Sequence, residues 1–280
     1  MTPSPRIFGL IGYPVKHSLS ALMHNAAFNA LRLDAKYQLF ELKAQELESF
    51  LKSLSQKNIY GLNVTIPYKE QVIPFLGKVA PEAELIGAVN TIKVLQDKLE
   101  GFNTDGAGFL KHLCEDLKFN AQGNIIAVIG AGGAAKAVTV SLSKAGAKRI
   151  AVYDVEKEKS RKLIAHLKEN FKETEFNQAD SIDGLGIQNS DLLINATPIG
   201  LKDTDPCIVN EGLIYKGLLV YDLIYNPKET KLLKLAREKG ARVSNGLGML
   251  LYQGMLSFEI WTGKNAPKEA MQKALEDKIC

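Results

Sequence analysis

The chain has 280 residues, 46% hydrophobic and 24% charged, which excludes a disordered protein and leaves apolar material for two cores of ordinary size. Its 35 basic and 31 acidic residues give a net charge of +4 and are interspersed, which excludes the clustered basic face of a nucleic-acid binder while suiting an anionic ligand. Cys114, Cys207 and Cys280 have no short spacing, so neither a disulfide framework nor a Cys-x-x-Cys zinc site is expected.

In chain order, apolar runs alternate with helical patterns, which points to a parallel α/β architecture. A strand at Ile7–Ile11 ends at Gly12 and Pro14, and a helix starts near Ser20, its stripe made by Leu22, Ala26, Ala27 and Ala30. A strand at Tyr37–Leu42, a helix near Gln45–Leu54 and a strand at Tyr60–Val64 continue the alternation. Val89–Leu95 and Leu99–Phe102 flank Gln96-Asp97-Lys98, which reads as a hairpin. A helix from about Asp105 to Leu117 is expected to bridge to a second lobe.

That lobe opens with a buried strand, Ile125–Ile129, a glycine-rich turn and a helix over Ala134–Ala145. Strands are expected at Arg149–Tyr153, Leu192–Asn195, Leu218–Leu223 and Arg242–Ser244. An apolar helix follows Asn245 through about Glu259, and an amphipathic segment covers Pro267–Asp277. The expected domains are a substrate-binding catalytic domain over 1–104, completed by about 246–280, and a dinucleotide-binding Rossmann domain over 105–245. The fold class is therefore α/β: an N-terminal three-layer substrate lobe and a C-terminal Rossmann lobe, the final helices packing back on the first.

Gly130-Ala131-Gly132-Gly133-Ala134-Ala135 matches G-x-G-x-x-G/A after an apolar strand and before an alanine-rich helix. Gly130 permits the tight turn, Gly132 lets a pyrophosphate approach, and Ala135 lets the helix pack on the strand. Free N–H groups at the helix start then bind the phosphates. Asp154, at the end of the next strand, suits the ribose hydroxyls of NAD and would repel the 2′-phosphate of NADP. Otherwise it is a loop aspartate capping the next helix. Lys157, Lys159 and Arg161 are able to pair with a phosphate, but they alternate with Glu156 and Glu158 as on an ordinary solvated helix. NAD is favoured as the cofactor, with NADP possible.

In the first lobe, Gly12-Tyr13-Pro14-Val15-Lys16-His17-Ser18-Leu19-Ser20 ends a strand and starts a helix. Ser18 and Ser20 are spaced to donate two hydroxyl hydrogen bonds to one carboxylate; the plainer reading makes Ser20 an N-cap. Asn63-Val64-Thr65-Ile66-Pro67-Tyr68-Lys69, Gly87-Ala88-Val89-Asn90-Thr91 and Gly101-Phe102-Asn103-Thr104-Asp105-Gly106 follow. With the glycine-rich turn, Asn195-Ala196-Thr197-Pro198-Ile199-Gly200, Asp222-Leu223-Ile224-Tyr225 and Asn245–Gln253, these segments resemble the shikimate dehydrogenase family through both lobes.

The resemblance implies reversible hydride transfer between a nicotinamide cofactor and 3-dehydroshikimate or shikimate, in a cleft between the lobes, in aromatic amino-acid biosynthesis (the chorismate pathway). It also implies roles. Ser18 and Ser20 hold the substrate carboxylate, Thr65, Lys69, Asn90, Asp105 and Gln253 bind its hydroxyls and reacting oxygen, and Tyr225 closes the pocket. Gly130, Ala131, Gly132, Gly133, Ala134, Asp154 and Thr197 meet the cofactor, with Leu223, Gly246 and Met249 near the nicotinamide. Lys69 and Asp105 form a catalytic pair, since a ketone oxygen gaining charge needs a proton donor or electrostatic stabiliser. Where NADP-using members carry Asn-Arg-Thr, this chain has Asp154-Val155-Glu156, and where proline is usual it has Ala21.

No metal is expected: His17 and His24 lack a zinc-site neighbourhood and are expected to be structural, and His112 and His166 to lie on helix surfaces. The polar, proline-broken start and the lack of an apolar run of roughly 18 residues suggest a cytoplasmic protein without membrane partners. No nucleic acid is expected to bind, and the assembly is a monomer or homodimer. The rival readings are an NAD-dependent quinate/shikimate dehydrogenase of quinate catabolism and a non-catalytic NAD-sensing binding protein.

Overall fold

The computed structural model describes residues 4–96 and 98–279, so Asp97 of the expected hairpin and Cys280 lie outside the described residues. The chain divides into two compact units: one runs up to Gly108 and resumes at Leu250, and the other is Phe109–Met249.

The first unit contains β1 (Arg6–Gly12), α1 (Ser20–Ala30), β2 (Ala35–Glu41), α2 (Leu47–Lys52), β3 (Ile59–Val64), β4 (Lys78–Val79), α3 (Pro81–Ile86), β5 (Thr91–Leu95) and β6 (Lys98–Phe102). Its sheet runs β2-β1-β3-β5-β6-β4. The first three strands are parallel, as expected, but β5 pairs antiparallel with both β3 and β6. The sheet is therefore mixed rather than parallel, because β5 and β6 are joined by a short hairpin with no room for a crossover helix. The expected helix at Gln45–Leu54 is split into a 3-10 turn, Ala44–Glu46, and the shorter α2.

Alternation along β1 serves two layers. Phe8 packs on Phe28 of α1 and on Trp261, with ring centroids 5.1 and 5.3 Å apart. Ile11 faces the other way, into a core with Phe50, Leu51, Leu62 and Val72. Trp261 belongs to α8 (Leu247–Thr262), and the last helix, α9 (Lys268–Ile279), packs against α1, so the closing helices return to the first lobe.

The second unit is wholly parallel. Its strands are β7 (Ile125–Ile129), β8 (Arg149–Tyr153), β9 (Glu175–Gln178), β10 (Leu192–Asn195), β11 (Leu219–Asp222) and β12 (Arg242–Ser244). They lie in the order β12-β11-β10-β7-β8-β9, the doubly wound order of a Rossmann fold. The sequence order reverses between β7 and β10, the place where such sheets bind ligands beyond their carboxyl ends. α4 (Asp105–Glu115) precedes β7, and α5 (Gly133–Lys144), α6 (Lys157–Asn170) and α7 (Lys231–Glu238) complete the unit. No helix among the described residues is long and apolar enough to cross a membrane.

One histidine expectation is overturned here. His112 is buried within α4, and its Nδ1 lies 2.6 Å from the Tyr221 hydroxyl. Burial pushes that phenol well above its ordinary range. The α4 face carrying His112 meets β11, which no local pattern in α4 announces.

Candidate active site

In the first unit, the polar residues gather where the parallel strands end. β1 and β3 finish side by side, and the chain leaving them is tied together: the Thr65 amide donates to the Ile11 carbonyl (2.9 Å) and the Tyr13 amide to the Ile66 carbonyl (2.9 Å). Because β5 is antiparallel, its first residue, Thr91, pairs with Asn63 and Phe102, so the segments before β5 and after β6 open at the same edge. Thr65, Lys69, Asn90 and Asp105 are thereby brought to one end of one sheet.

There the Lys69 Nζ lies 2.5 Å from Asp105 Oδ2, with side chains 17% and 7% exposed. An ammonium held in this way on a buried carboxylate is oriented and keeps a small exposed face for a ligand. Asn90 donates through Nδ2 to Asp105 Oδ1 (2.8 Å), to Thr104 Oγ1 (2.9 Å) and, at 3.4 Å, to Gln253 Oε1. Lys69, Asp105, Asn90 and Gln253 thus form one contiguous polar group. Gln253 also donates to the Leu250 carbonyl (2.8 Å), which sets its side chain against its own helix.

Ser20 does not cap α1: Leu19 holds the cap position and no side chain fills it. Instead the Ser18 hydroxyl donates to Ser20 Oγ (3.2 Å) and accepts the Ser20 amide (3.3 Å), so the two hydroxyls lie side by side. Thr65 is half-buried at the end of β3. Tyr225 belongs to the second unit, just beyond β11.

A layer of polar residues behind the site was not singled out by the sequence. Asn63 accepts from the Tyr37 hydroxyl (2.7 Å) and donates to Ser257 Oγ (3.0 Å), Thr91 Oγ1 (3.2 Å) and the Asn90 carbonyl (3.2 Å). The Asn103 amide donates to the Ala88 carbonyl (2.8 Å), and its oxygen accepts the Asp105 amide (3.0 Å). Asn63, Thr91, Asn103 and Thr104 stand in the quoted motifs, but only the partners show that they support rather than line. Ser257 sits on an apolar helix where nothing signals it. His24 stacks on Tyr37, with centroids 4.5 Å apart and planes 9° apart. Neither ring nitrogen has a hydrogen-bond partner among the described residues. Burial lowers its pKa to about 3, against a weak opposing effect of nearby Asn63, so the ring is neutral as expected of a structural residue.

In the second unit, Gly130 leaves β7 with φ +108°, and a Cβ there would lie 2.9 Å from the Ala196 carbonyl oxygen. A side chain at that position meets both strain and backbone. Ala131 and Gly132 follow, then Gly133 and Ala134 open α5 with their amides directed out of the helix start. A Cβ at Gly132 would meet nothing within 4 Å, so the backbone there is open to a bulky anion. These features fit a dinucleotide pyrophosphate.

Asp154 is wired into that loop: Oδ2 accepts the Ala131 amide (2.7 Å) and Oδ1 the Glu156 amide (2.8 Å). The carboxylate buttresses the glycine turn and keeps lone pairs for a further donor. The nearby cations are engaged: Lys157 with Asp180 (2.9 Å), Lys159 with Glu156 (2.5 Å) and Arg161 with Glu158 (2.7 Å).

After β10, Thr197 Oγ1 donates to Asn195 Oδ1 (2.7 Å), and Asn195 Nδ2 donates to Asp222 Oδ1 (3.0 Å). Thr230 donates to the other Asp222 oxygen (2.7 Å). Burial raises the Asp222 pKa, and the Thr230, Ile224 and Asn195 hydrogen bonds pull it back. This buried node fixes the segments after β10 and β11, including Thr197 and Leu223. Gly246 passes so close that a Cβ would fall 2.0 Å from the Leu223 carbonyl oxygen. Met249 is buried close by in sequence.

Residues 10–92 match the sequence model of the shikimate dehydrogenase substrate binding domain, and residues 246–276 that of the shikimate 5′-dehydrogenase C-terminal domain. The shikimate dehydrogenase (NADP(+)) of Methanopyrus kandleri is 43% identical over 279 residues, covering 98% of this chain and 96% of its own. A crystal structure of a shikimate dehydrogenase in complex with NADP+ is 39% identical, with a TM-score of 0.91 over 99% of this chain and 96% of that one. The shikimate 5-dehydrogenase of Listeria monocytogenes, in complex with shikimate and NAD, is 33% identical, with a TM-score of 0.89 over 98% of each chain. Motifs, fold and overall likeness agree, and the chain belongs to the shikimate dehydrogenase family.

Proposed function

We propose that this protein is a shikimate dehydrogenase that interconverts shikimate and 3-dehydroshikimate, and that it uses NAD in preference to NADP. The observation that carries the reaction is the Lys69–Asp105 contact at 2.5 Å, with Asp105 held from its other oxygen by Asn90. The nicotinamide supplies or accepts the hydride. The chain's own task is to bind the polyol acid and to manage charge and a proton at the reacting oxygen.

Ser18 and Ser20 hold the substrate carboxylate through their two adjacent hydroxyls. Thr65, Asn90 and Gln253 bind the ring hydroxyls. The Lys69 ammonium faces the carbonyl oxygen that gains charge during reduction, and Asp105 orients that ammonium while accepting a substrate hydroxyl. In the oxidative direction the same pair receives the proton leaving the alcohol.

Asp154 supports the preference for NAD. Its carboxylate is fixed beside the pyrophosphate loop, where the ribose hydroxyls of a bound dinucleotide belong, and a 2′-phosphate there meets a like charge. Lys157, Lys159 and Arg161 are each already paired with an acid, so a phosphate must compete for them. Many curated relatives are named for NADP(+), as the Methanopyrus enzyme is, so this pocket is where the chain is expected to depart from them. A chorismate-pathway role in the cytoplasm accords with the reaction.

The test is steady-state oxidation of shikimate and of quinate, each with NAD and NADP, on one preparation. The expected result is a kcat/KM for shikimate with NAD about tenfold or more above the other combinations. A clear preference for NADP overturns the Asp154 reading. Faster quinate turnover moves the protein to quinate oxidation, and NAD binding without turnover makes it a sensor.

A further inference from the structure

The side chain of Asn90 is held at both ends by one residue. The Thr104 backbone N–H donates to Asn90 Oδ1 at 2.8 Å, and because an N–H only donates, this contact decides which end of the amide is oxygen. The Thr91 hydroxyl donates to the same oxygen (2.8 Å). The amide nitrogen must then face the other way, where it reaches Asp105 Oδ1 at 2.8 Å and Thr104 Oγ1 at 2.9 Å. Its further contact, Gln253 Oε1 at 3.4 Å, is too long to hold the amide alone. Thr104 is 3% exposed and Asn90 2%, so neither hydrogen bond is easily replaced by solvent. The Thr104 hydroxyl is itself located by Ser257 Oγ, 3.1 Å away.

Resting on the shikimate-oxidation reading above, we propose that Thr104 is a positioning residue for that reaction: its amide and hydroxyl clamp Asn90, which holds Asp105, which aims Lys69. Thr104 is buried behind Asn90 and Asp105 and acts only through them. The clamp matters because Asp105 grips the ammonium with one oxygen and is itself steadied through the other. If Asn90 swings, the carboxylate rotates and the ammonium leaves its line to the reacting oxygen.

Thr104→Val keeps the branched shape and the backbone donor and replaces the hydroxyl with a methyl group. The expected result is a kcat for shikimate oxidation about tenfold below wild type, with the shikimate KM within about threefold and the NAD KM unchanged. Thr104→Ser is expected to return kcat to within about twofold of wild type, since it restores the oxygen. Assays run well below the unfolding temperature, with the folded fraction set by NAD-binding stoichiometry, separate this from a loss of stability. If Thr104→Val does not fold, Thr104→Ala, which cannot overpack the site, is read in the same way. A Thr104→Val kcat equal to wild type, or a loss that serine does not restore, overturns the clamp alone. A wild-type protein without shikimate turnover overturns the functional reading and the clamp with it.

Discussion

In the unit that carries Lys69, the working groups are side chains held by other side chains; in the unit that carries Gly130, they are backbone amides held by the course of the chain. Lys69, Asp105, Asn90 and Thr104 form successive hydrogen bonds from the partly exposed ammonium to the buried hydroxyl layer. Around Gly130, the turn stands on a positive φ, on the close passage of Ala196 and on the Asp154 carboxylate that receives the Ala131 amide. The first arrangement suits chemistry, where charge must sit at one atom. The second suits a pyrophosphate, which any set of converging N–H groups accommodates. It follows that the first unit is sensitive to isosteric changes of side chain and the second to the mere addition of a carbon.

The largest expected effect tests the first half of that contrast. Lys69→Ala is expected to lower kcat/KM for shikimate oxidation by about a thousandfold, within the range for a lost general acid–base group, while NAD still binds. Unchanged turnover would remove the pair from the mechanism. Gly130→Ala tests the second half. It adds one carbon at φ +108° and 2.9 Å from a carbonyl oxygen, and is expected to cost about 2 kcal/mol in urea unfolding while raising the KM for NAD. A shikimate KM that rises equally would mean that the units are not separable in this way.

A smaller change comes from Asp154→Asn, which keeps the shape and one acceptor, for Ala131, but removes the charge and the acceptor for the Glu156 amide. The NAD-to-NADP ratio of kcat/KM is expected to fall about tenfold, and a ratio that stays put would show that the carboxylate buttresses the loop without reading the ribose. The last effect is read as a slope rather than as a fold-change. The folded-state pKa of His24, about 3, lies below the ordinary value of 6.5, so the unfolded chain takes up the proton first as pH falls. Stability held above pH 6.5 is therefore lost between 6.5 and 3, with a limiting contribution of about 1.4 kcal/mol per pH unit. Urea midpoints across that window should flatten in His24→Phe, and parallel curves for the two proteins would contradict the assignment.

Much of this was legible residue by residue. The expected bounds of β7, β8, β10 and β12 coincide with those in the structure. Inner parallel strands are buried on both faces, so they read as unbroken apolar runs such as Ile125–Ile129. β9 gives no such signal because it is an edge strand in which only Phe176 is buried. The reversed direction of β5 is not legible for another reason: a hairpin fixes the pairing of β5 with β6, but which strand receives β5 on its other side is decided across the sheet.

The site divides in the same way. Lys69, Asp105, Asn90, Gln253 and the Gly130 turn stand in ordered motifs whose spacing reflects local needs: a strand end, a tight turn, a helix start. That is information a linear chain carries, because each motif solves its geometry within a few residues. Thr104 as a clamp, Ser257 beneath it, and His112 turned inward onto Tyr221 depend on side chains brought together from distant parts of one unit. A buried hydrogen bond acquires its partner only when the sheet and its helices close around it. The polar residue in the sequence therefore announces a donor or acceptor, and packing alone decides what it holds.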